Sequence, residues 1–321
     1  MDTKKVKKPL SKGVRALILV GVIVGGLGAG AGIGLLMGHF LKKPVELIPE
    51  VDLNEVEDDV GNLLERYEEC IAEGKNPLNT FAIHELANIS MQKYTSQEYG
   101  VSYSYGNADS AVKLDIRNIS IHSGDTYLEE SLSKSTAGII NIVVAQRDIQ
   151  HGDSDDSDID SYLGDIKSDV ESPNWSNAKK EYYKASDYEE KFGKKVSRPS
   201  VYIVSSKTVL DDGSSISKTE DGYEIAMNLD TIKGVARYRK RMMNLSGSDV
   251  KSFEYVHLTY YVDDDFNLLK SHVEEKYAAG MGSISADVTG TLRTYYFPGE
   301  KVALPSEGEN ISIPKEGTKN A

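Results

Sequence analysis

Cysteine is almost missing from this chain of 321 residues: Cys70 is the only one. A single thiol excludes an internal disulfide and any zinc site built on paired cysteines, so the fold must be held by its own core. A disulfide here could only join two chains. Positive charge is scarce as well, with 37 basic against 50 acidic side chains. Six of the basic residues precede residue 42, and the part beyond keeps 31 basic and 49 acidic side chains, a net charge of −18. A surface that acidic is unsuited to nucleic acid or to broad contact with anionic headgroups.

Complete catalytic and metal-binding patterns are lacking too. His84-Glu85 opens an H-E-x-x-H zinc helix, but Asn88 stands where the second ligand is needed. Asp156, Asp158 and Asp160 resemble the start of a calcium loop, which also requires glycine at its sixth position and glutamate at its twelfth; Ser161 and Lys167 occupy them. His122, His151, His257 and His272 show no ligand spacing. Ser131-Leu132-Ser133-Lys134 matches S-x-x-K without its companion K-T-G, and no G-x-S-x-G is present. Cys70 follows two glutamates, a poor setting for a thiolate nucleophile. The chain is therefore not expected to be an enzyme, and neither a metal nor a cofactor is expected. Asn88, Asn118, Asn244 and Asn310 stand in N-x-S sequons, which matter only in a eukaryotic secretory pathway.

Charge is absent altogether from Ala16 to Gly38, a run of 23 residues. Gly26, Gly28 and Ala31, with Glu46 downstream, fit the spacing of a dinucleotide-binding turn. A helix half exposed to water would need polar positions in every turn, and this run has none. Its length suits a helix crossing ~30 Å of hydrocarbon. Lys4, Lys5, Lys7, Lys8, Lys12 and Arg15 precede it and only Lys42 and Lys43 follow before an acidic stretch. This asymmetry puts the N-terminus in the cytoplasm and the bulk across the membrane, anchored in the bilayer by one helix over residues 14–41 behind a basic tail, 1–13. Ala29-Gly30-Ala31 would serve as a cleavage site, but the apolar run continues beyond it, which favours a retained anchor. Gly26, Gly30, Gly34 and Gly38 recur every four residues, a stripe that would let two such helices approach closely; a homo-oligomer is one consequence, a featureless membrane helix the other.

Beyond the anchor, Leu53, Val56, Val60, Leu63, Tyr67 and Cys70 follow a heptad rhythm for under three heptads. Residues 42–76 are thus either a helical stalk with Cys70 at its seam or an amphipathic helix lying on the domain. A second helix is expected after Asn76-Pro77. From Tyr99 onward the period changes to two, with strands around Val101–Tyr105, Val112–Arg117, Thr126–Lys134 and Ile140–Val144, and again from Val201 to Tyr296. Turns are marked at Ser123-Gly124, Asp212-Gly213 and Asp221-Gly222. Between the halves, Asp153–Glu171 holds eight acidic residues and one lysine and reads as a solvated loop, followed by a helix through NAKKEYYKASDYEEKFG. A basic helix carries Lys233, Arg237, Arg239, Lys240 and Arg241, read as a solvated face or a contact for an acidic partner. The segment 305–321 is rich in Gly, Pro, Glu and Lys and reads as a disordered tail. The expected fold is α+β: a large curved antiparallel sheet over residues 77–304 with a few covering helices.

At YEIAMNLD and FEYVHLTYYVDDDFNLLKSHVEEKYA the chain resembles the bacterial lipoprotein-carrier (LolA-like) family, in strand order over residues 77–300. That resemblance implies a half-open sheet enclosing an apolar cavity for acyl chains; it transfers no functional residue, and a tethered chain differs from a soluble shuttle. Two functions are therefore expected. One is a single-pass, extracytoplasmic binding module with a lipid-like or apolar ligand. The other is a structural or interaction subunit of the cell envelope without a ligand cavity.

Overall fold

A computed structural model describes residues 51–311 except 110–112, 138–139, 165–172, 193, 198–199, 247–248, 282–283 and 307. The anchor segment and its stripe of Gly26, Gly30, Gly34 and Gly38 lie outside these residues. Among the described residues no helix is long and apolar enough to cross a membrane.

Two short helices, α1 (Leu53–Val56) and α2 (Leu63–Ala72), a 3-10 turn (Pro77–Asn79) and α3 (Ile83–Thr95) precede the sheet. Six strands then follow one another: β1 (Tyr99–Asp109), β2 (Lys113–Ser123), β3 (Thr126–Ala137), β4 (Ile140–His151), β5 (Asp158–Leu163) and β6 (Lys179–Lys184). After α4 (Ala185–Phe192) come β7 (Val209–Lys218), β8 (Tyr223–Leu229), α5 (Ala236–Ser246), β9 (Asp249–Val262), β10 (Leu268–Met281) and β11 (Ile284–Pro298). All are joined in one sheet of 11 strands, ordered β6-β5-β4-β3-β2-β1-β11-β10-β9-β8-β7, with antiparallel neighbours throughout. Each half is a meander of neighbouring strands, and β1 and β11 close the two halves together. The outermost strands β6 and β7 do not pair with each other. Yet α4, which follows β6, packs on α5, which follows β8, so the sheet curls to bring its two ends under one layer of helices.

Helix α2 meets the sheet layer rather than standing off as a rod. Leu63, Tyr67 and Cys70 are buried with Phe81, Leu86 and Phe266, and the Tyr67 hydroxyl donates to the Asp265 carbonyl at 2.9 Å. Residues 57–62 interrupt the helical rhythm between α1 and α2. The Cys70 thiol donates weakly to the Lys75 carbonyl and to Thr80 Oγ1, and is almost wholly covered. Cys70 should therefore resist an added aromatic disulfide reagent in the folded protein and react on addition of denaturant. Rapid labelling without denaturant would show that α2 is not docked as described.

The acidic stretch and the helix expected after it are arranged differently from the sequence reading. Asp158–Leu163 forms β5 with Ile159 fully buried, and Lys179–Lys184 forms β6, so helix α4 starts only at Ala185. The charges that argued for a solvated loop face lysines on the neighbouring strand: Asp158 meets Lys184 at 2.7 Å and Asp160 meets Lys180 at 3.2 Å. Cross-strand pairing of opposite charges makes such an edge acceptable. The described part of the C-terminal segment also lies on the sheet. Val302, Leu304 and Ile311 cover Val101, Tyr103, Ile119, Ile121 and Leu128, on the face away from the helices. There Arg147 is buried between Glu130 (2.7 Å), the Trp175 ring (4.4 Å) and the Glu309 carbonyl (2.8 Å).

Of the marked turns, Asp221-Gly222 admits only glycine. Gly222 has φ 144°, and a Cβ there would lie 2.1 Å from the Val262 carbonyl oxygen. Phe266 adopts φ 60° in the turn between β9 and β10, held by Asp263 Oδ1, which accepts from Asp265 N (3.0 Å) and Asn267 N (2.8 Å), while its ring stacks on Tyr223.

Candidate functional site

Strand register places one polar row beneath the helical layer. From β8 to β4 the directly paired residues are Ile225, Tyr260, Ser271, Thr294, Ser104, Asn118, Ser131 and Gln146. The middle of the helix-side face is therefore built of hydroxyl and amide groups, most of them buried. Ser104 Oγ and Thr294 Oγ1 share a hydrogen bond of 2.8 Å, and Ser271 Oγ and the Tyr296 hydroxyl one of 3.1 Å. Apolar packing resumes on the same face at the other end of the strands, with Leu114, Ile116, Val144, Tyr277 and Val288 in the main core.

Three buried carboxylates on this face are each met by a covering element. Glu129 of β3 forms an ion pair with Lys194, just past α4, and both are almost wholly buried. Burial pushes the Lys194 ammonium down to about 8, with Glu129 pulling it up and Arg241 of α5 pushing it further down. Asp148 of β4 accepts from Gln146 Nε2 at 2.9 Å and from the Tyr188 hydroxyl of α4 at 2.8 Å; burial raises it above the usual carboxylate range. Glu275 of β10 accepts from the Tyr238 hydroxyl of α5 at 2.7 Å and the Tyr202 hydroxyl at 2.8 Å. Burial raises Glu275 from 4.5 to about 7, against the pull of the two tyrosines. The cover is thus fastened to the sheet by charged and tyrosine contacts, an arrangement that costs little only while every partner stays in place.

Between these fasteners the cover leaves a cleft of about 430 Å³ lined by α3 (Asn88, Gln92), Lys195, Ser197, Ser200, Tyr202, Tyr127, Arg237 and Tyr260, among others. Beneath it is a smaller chamber of about 70 Å³, lined by Ser102, Ser104, Asn118, Glu129, Lys194, Tyr238 and Tyr296. Ser200, Tyr202 and Tyr260 line both. The rings of Tyr202 and Tyr238 stack at 5.5 Å. The cleft's volume falls within the range of small-molecule sites. Its walls mix hydroxyl, amide and charged groups with tyrosine rings and the apolar side chains of Val60, Met91, Ile203 and Val204, where the resemblance to lipid carriers implied an apolar cavity.

The residues singled out by motif are dispersed. His84 lies 3.6 Å from Asp58, and Asn88 Nδ2 donates to the Val204 carbonyl at 2.9 Å. Asp158 and Asp160 are engaged by lysines, and Asp156 lies in the preceding turn. Among the described residues no group of His, Cys, Asp and Glu could hold a metal ion. Ser131 is buried on the helix-side face, whereas Lys134, three residues along the same strand, is exposed on the opposite one. His122 stacks on Tyr127 and His257 on Tyr255, His151 approaches Asp160 at 3.9 Å, and burial lowers His272. The basic helix is not a free face: Arg237 pairs with Glu57 at 2.6 Å and Arg241 is buried.

Sequence reasoning missed Glu129, Asp148, Lys194 and Glu275. One signal was available: in β10, Val273, Glu275 and Tyr277 share the apolar parity, so the acid between them had to face inward.

No family model matches the chain, and no curated protein matches it. Among solved structures, the N-terminal β-barrel domain of Pseudomonas aeruginosa OprF aligns at 6% identity with a TM-score of 0.21, covering 63% of this chain and 100% of that one. A porin-like protein from Bacteroides uniformis aligns at 10% identity with a TM-score of 0.20, covering 64% of this chain and 97% of that one. Likenesses this slight bear on neither fold nor function.

Proposed function

We propose that this protein is a membrane-anchored, extracytoplasmic binding module whose cleft takes a small polar ligand. The observation that carries the reading is the open cleft, which shares Ser200, Tyr202 and Tyr260 with a chamber where serine, threonine and asparagine side chains stand among Val201, Leu258, Val273 and Leu292. An acyl chain would gain ~0.8 kcal/mol per buried CH₂ against an apolar wall. Here it would meet Val201, Leu258, Val273 and Leu292 in the chamber, but also amide and hydroxyl groups among them that it cannot hydrogen-bond, which offsets part of that gain. The lipid-like ligand implied by the family resemblance is thus less well supported than a polar one. Placement outside the cytoplasm rests on the uncharged run 16–38 and the basic residues before it.

The alternative of an interaction subunit without a ligand is favoured by one observation, the dense self-filling of the sheet's other end by Leu114, Tyr277, Val288 and their neighbours. Thermal melting of the full chain in lipid nanodiscs separates the two. With pooled sugars, amino acids, nucleosides and fatty acids at a large excess over Kd, a polar pool should raise the melting temperature by several degrees. The Tyr202→Ala variant should lose that shift. A response to fatty acids alone, or to no pool, rejects the proposal. For the topology, protease added to intact cells should remove the C-terminal bulk; full protection until the cells are opened would reverse the orientation.

A further inference from the structure

We infer that the ligand of this cleft is an uncharged, hydroxyl-rich molecule of sugar size; this deepens the reading of the cleft as a polar binding site and rests on it. The charges that line the cleft and chamber are satisfied within the chain. Glu57 Oε1 lies 2.6 Å from Arg237, an ion pair without hydrogen-bond geometry, while Lys195 pairs with Asp155 at 2.5 Å and Glu129 with Lys194. Asp58 accepts from Ser206 N at 2.6 Å and Ser206 Oγ at 2.7 Å. Only Asp153, exposed at the rim, has no such contact among the described residues. A phosphate or carboxylate would have to displace Asp155 from Lys195 or break a buried pair, and breaking a buried one is expensive. An ammonium group would have only the solvated rim acid, where a single pair contributes little.

What the walls offer instead is neutral hydrogen bonding. Gln92 Oε1 and Ser197 Oγ in the cleft and Asn118 Oδ1 in the chamber are buried and have no hydrogen-bond partner among the described residues. Buried polar atoms without partners are uncommon, and each left so costs free energy that a ligand recovers once the side chain turns to meet it. An amide oxygen only accepts, so it selects a ligand that donates; a serine hydroxyl does either. Hydroxyl groups on a ring satisfy both in any orientation. Tyr202 adds an aromatic wall, whose electron-rich face suits the slightly positive C–H face of a saccharide ring.

The test is saturation-transfer NMR on the full chain in nanodiscs with five probes: N-acetylglucosamine, maltose, galacturonate, glucosamine and octanoate. The neutral sugars should receive saturation, with binding weakened roughly tenfold by Gln92→Met and by Asn118→Leu, the loss of about one hydrogen bond each. Tyr105→Ser, on the opposite face of the sheet, should leave it unchanged. Gln92 lies on α3 rather than in the sheet, so its variant tests the inference even where Asn118→Leu fails to fold. Preference for galacturonate or glucosamine would overturn the ligand class while leaving the cleft a polar binding site. Saturation of octanoate alone, or of no probe, would overturn both.

Discussion

Replacing Lys194 with alanine should destabilise the folded chain by about 3–5 kcal/mol, a third or more of the stability of an ordinary domain. The lysine and Glu129 are each under a tenth exposed, and Glu129 sits on β3 beneath the cover with no way to reach water when its partner is removed. An uncompensated carboxylate must then be buried or the cover over β3 and β4 must lift. Replacing both, Glu129→Leu with Lys194→Met, should return stability to within ~1 kcal/mol of the parent, because the pair's attraction is largely offset by the desolvation of two ions. Urea unfolding followed by the fluorescence of Trp175, the only tryptophan and itself buried, reads both variants. A loss below ~1 kcal/mol for Lys194→Ala would mean that the pair is hydrated. A double variant as weak as the single one would mean that the charge pair is not what holds the cover there.

The alternation of the strands was legible from the sequence, but which face is covered was not. On β1 and β3 the apolar parity, with Val101, Tyr103 and Leu128, reads as the core facing helices. These side chains instead lie on the opposite face, under the C-terminal segment. The serines between them read as the wet face and are in fact enclosed, Ser102 and Ser133 almost completely. A period of two fixes which residues share a side of a sheet and says nothing about what comes to cover that side. On β2, β4 and β8 to β10 the two coincide, since Leu114, Ile116, Val144, Ile225, Met227, Leu258 and Val273 belong to the core with the helices. The edge strands β5 and β6 were hidden for another reason. Their charge density reads as solvation, and only the lysines of β6, one opposite Asp158 and one diagonal to Asp160, make pairing favourable. Lys194 is invisible in sequence because its partner lies 65 residues earlier.

Glu275 should make the protein more stable in mild acid than at neutral pH. In the fold its carboxyl is raised from 4.5 to about 7 by burial. Between those values the folded state holds a proton that the unfolded chain has released, so stability is fully present below pH ~4.5 and is lost as pH rises through ~7. A shift of that size corresponds to about 3 kcal/mol across the window. Asp148, raised for the same reason, adds to the slope in the same direction. Urea midpoints at pH 5 and pH 8 should therefore differ, with the higher at pH 5. Glu275→Gln keeps an acceptor for the hydroxyls of Tyr202 and Tyr238 and removes the charge, so it should raise stability at pH 8 and leave the Asp148 share of the difference, opposed by His272, which burial lowers. An unchanged pH difference in Glu275→Gln would show that the carboxyl is not titrating there. The consequence reaches the cleft, because Tyr202 lines it and donates to Glu275 at 2.8 Å. Hydrogen bonds to an ionised acceptor are roughly twice as strong as neutral ones, so the tyrosine wall is held most firmly above pH 7, where the fold as a whole is less stable.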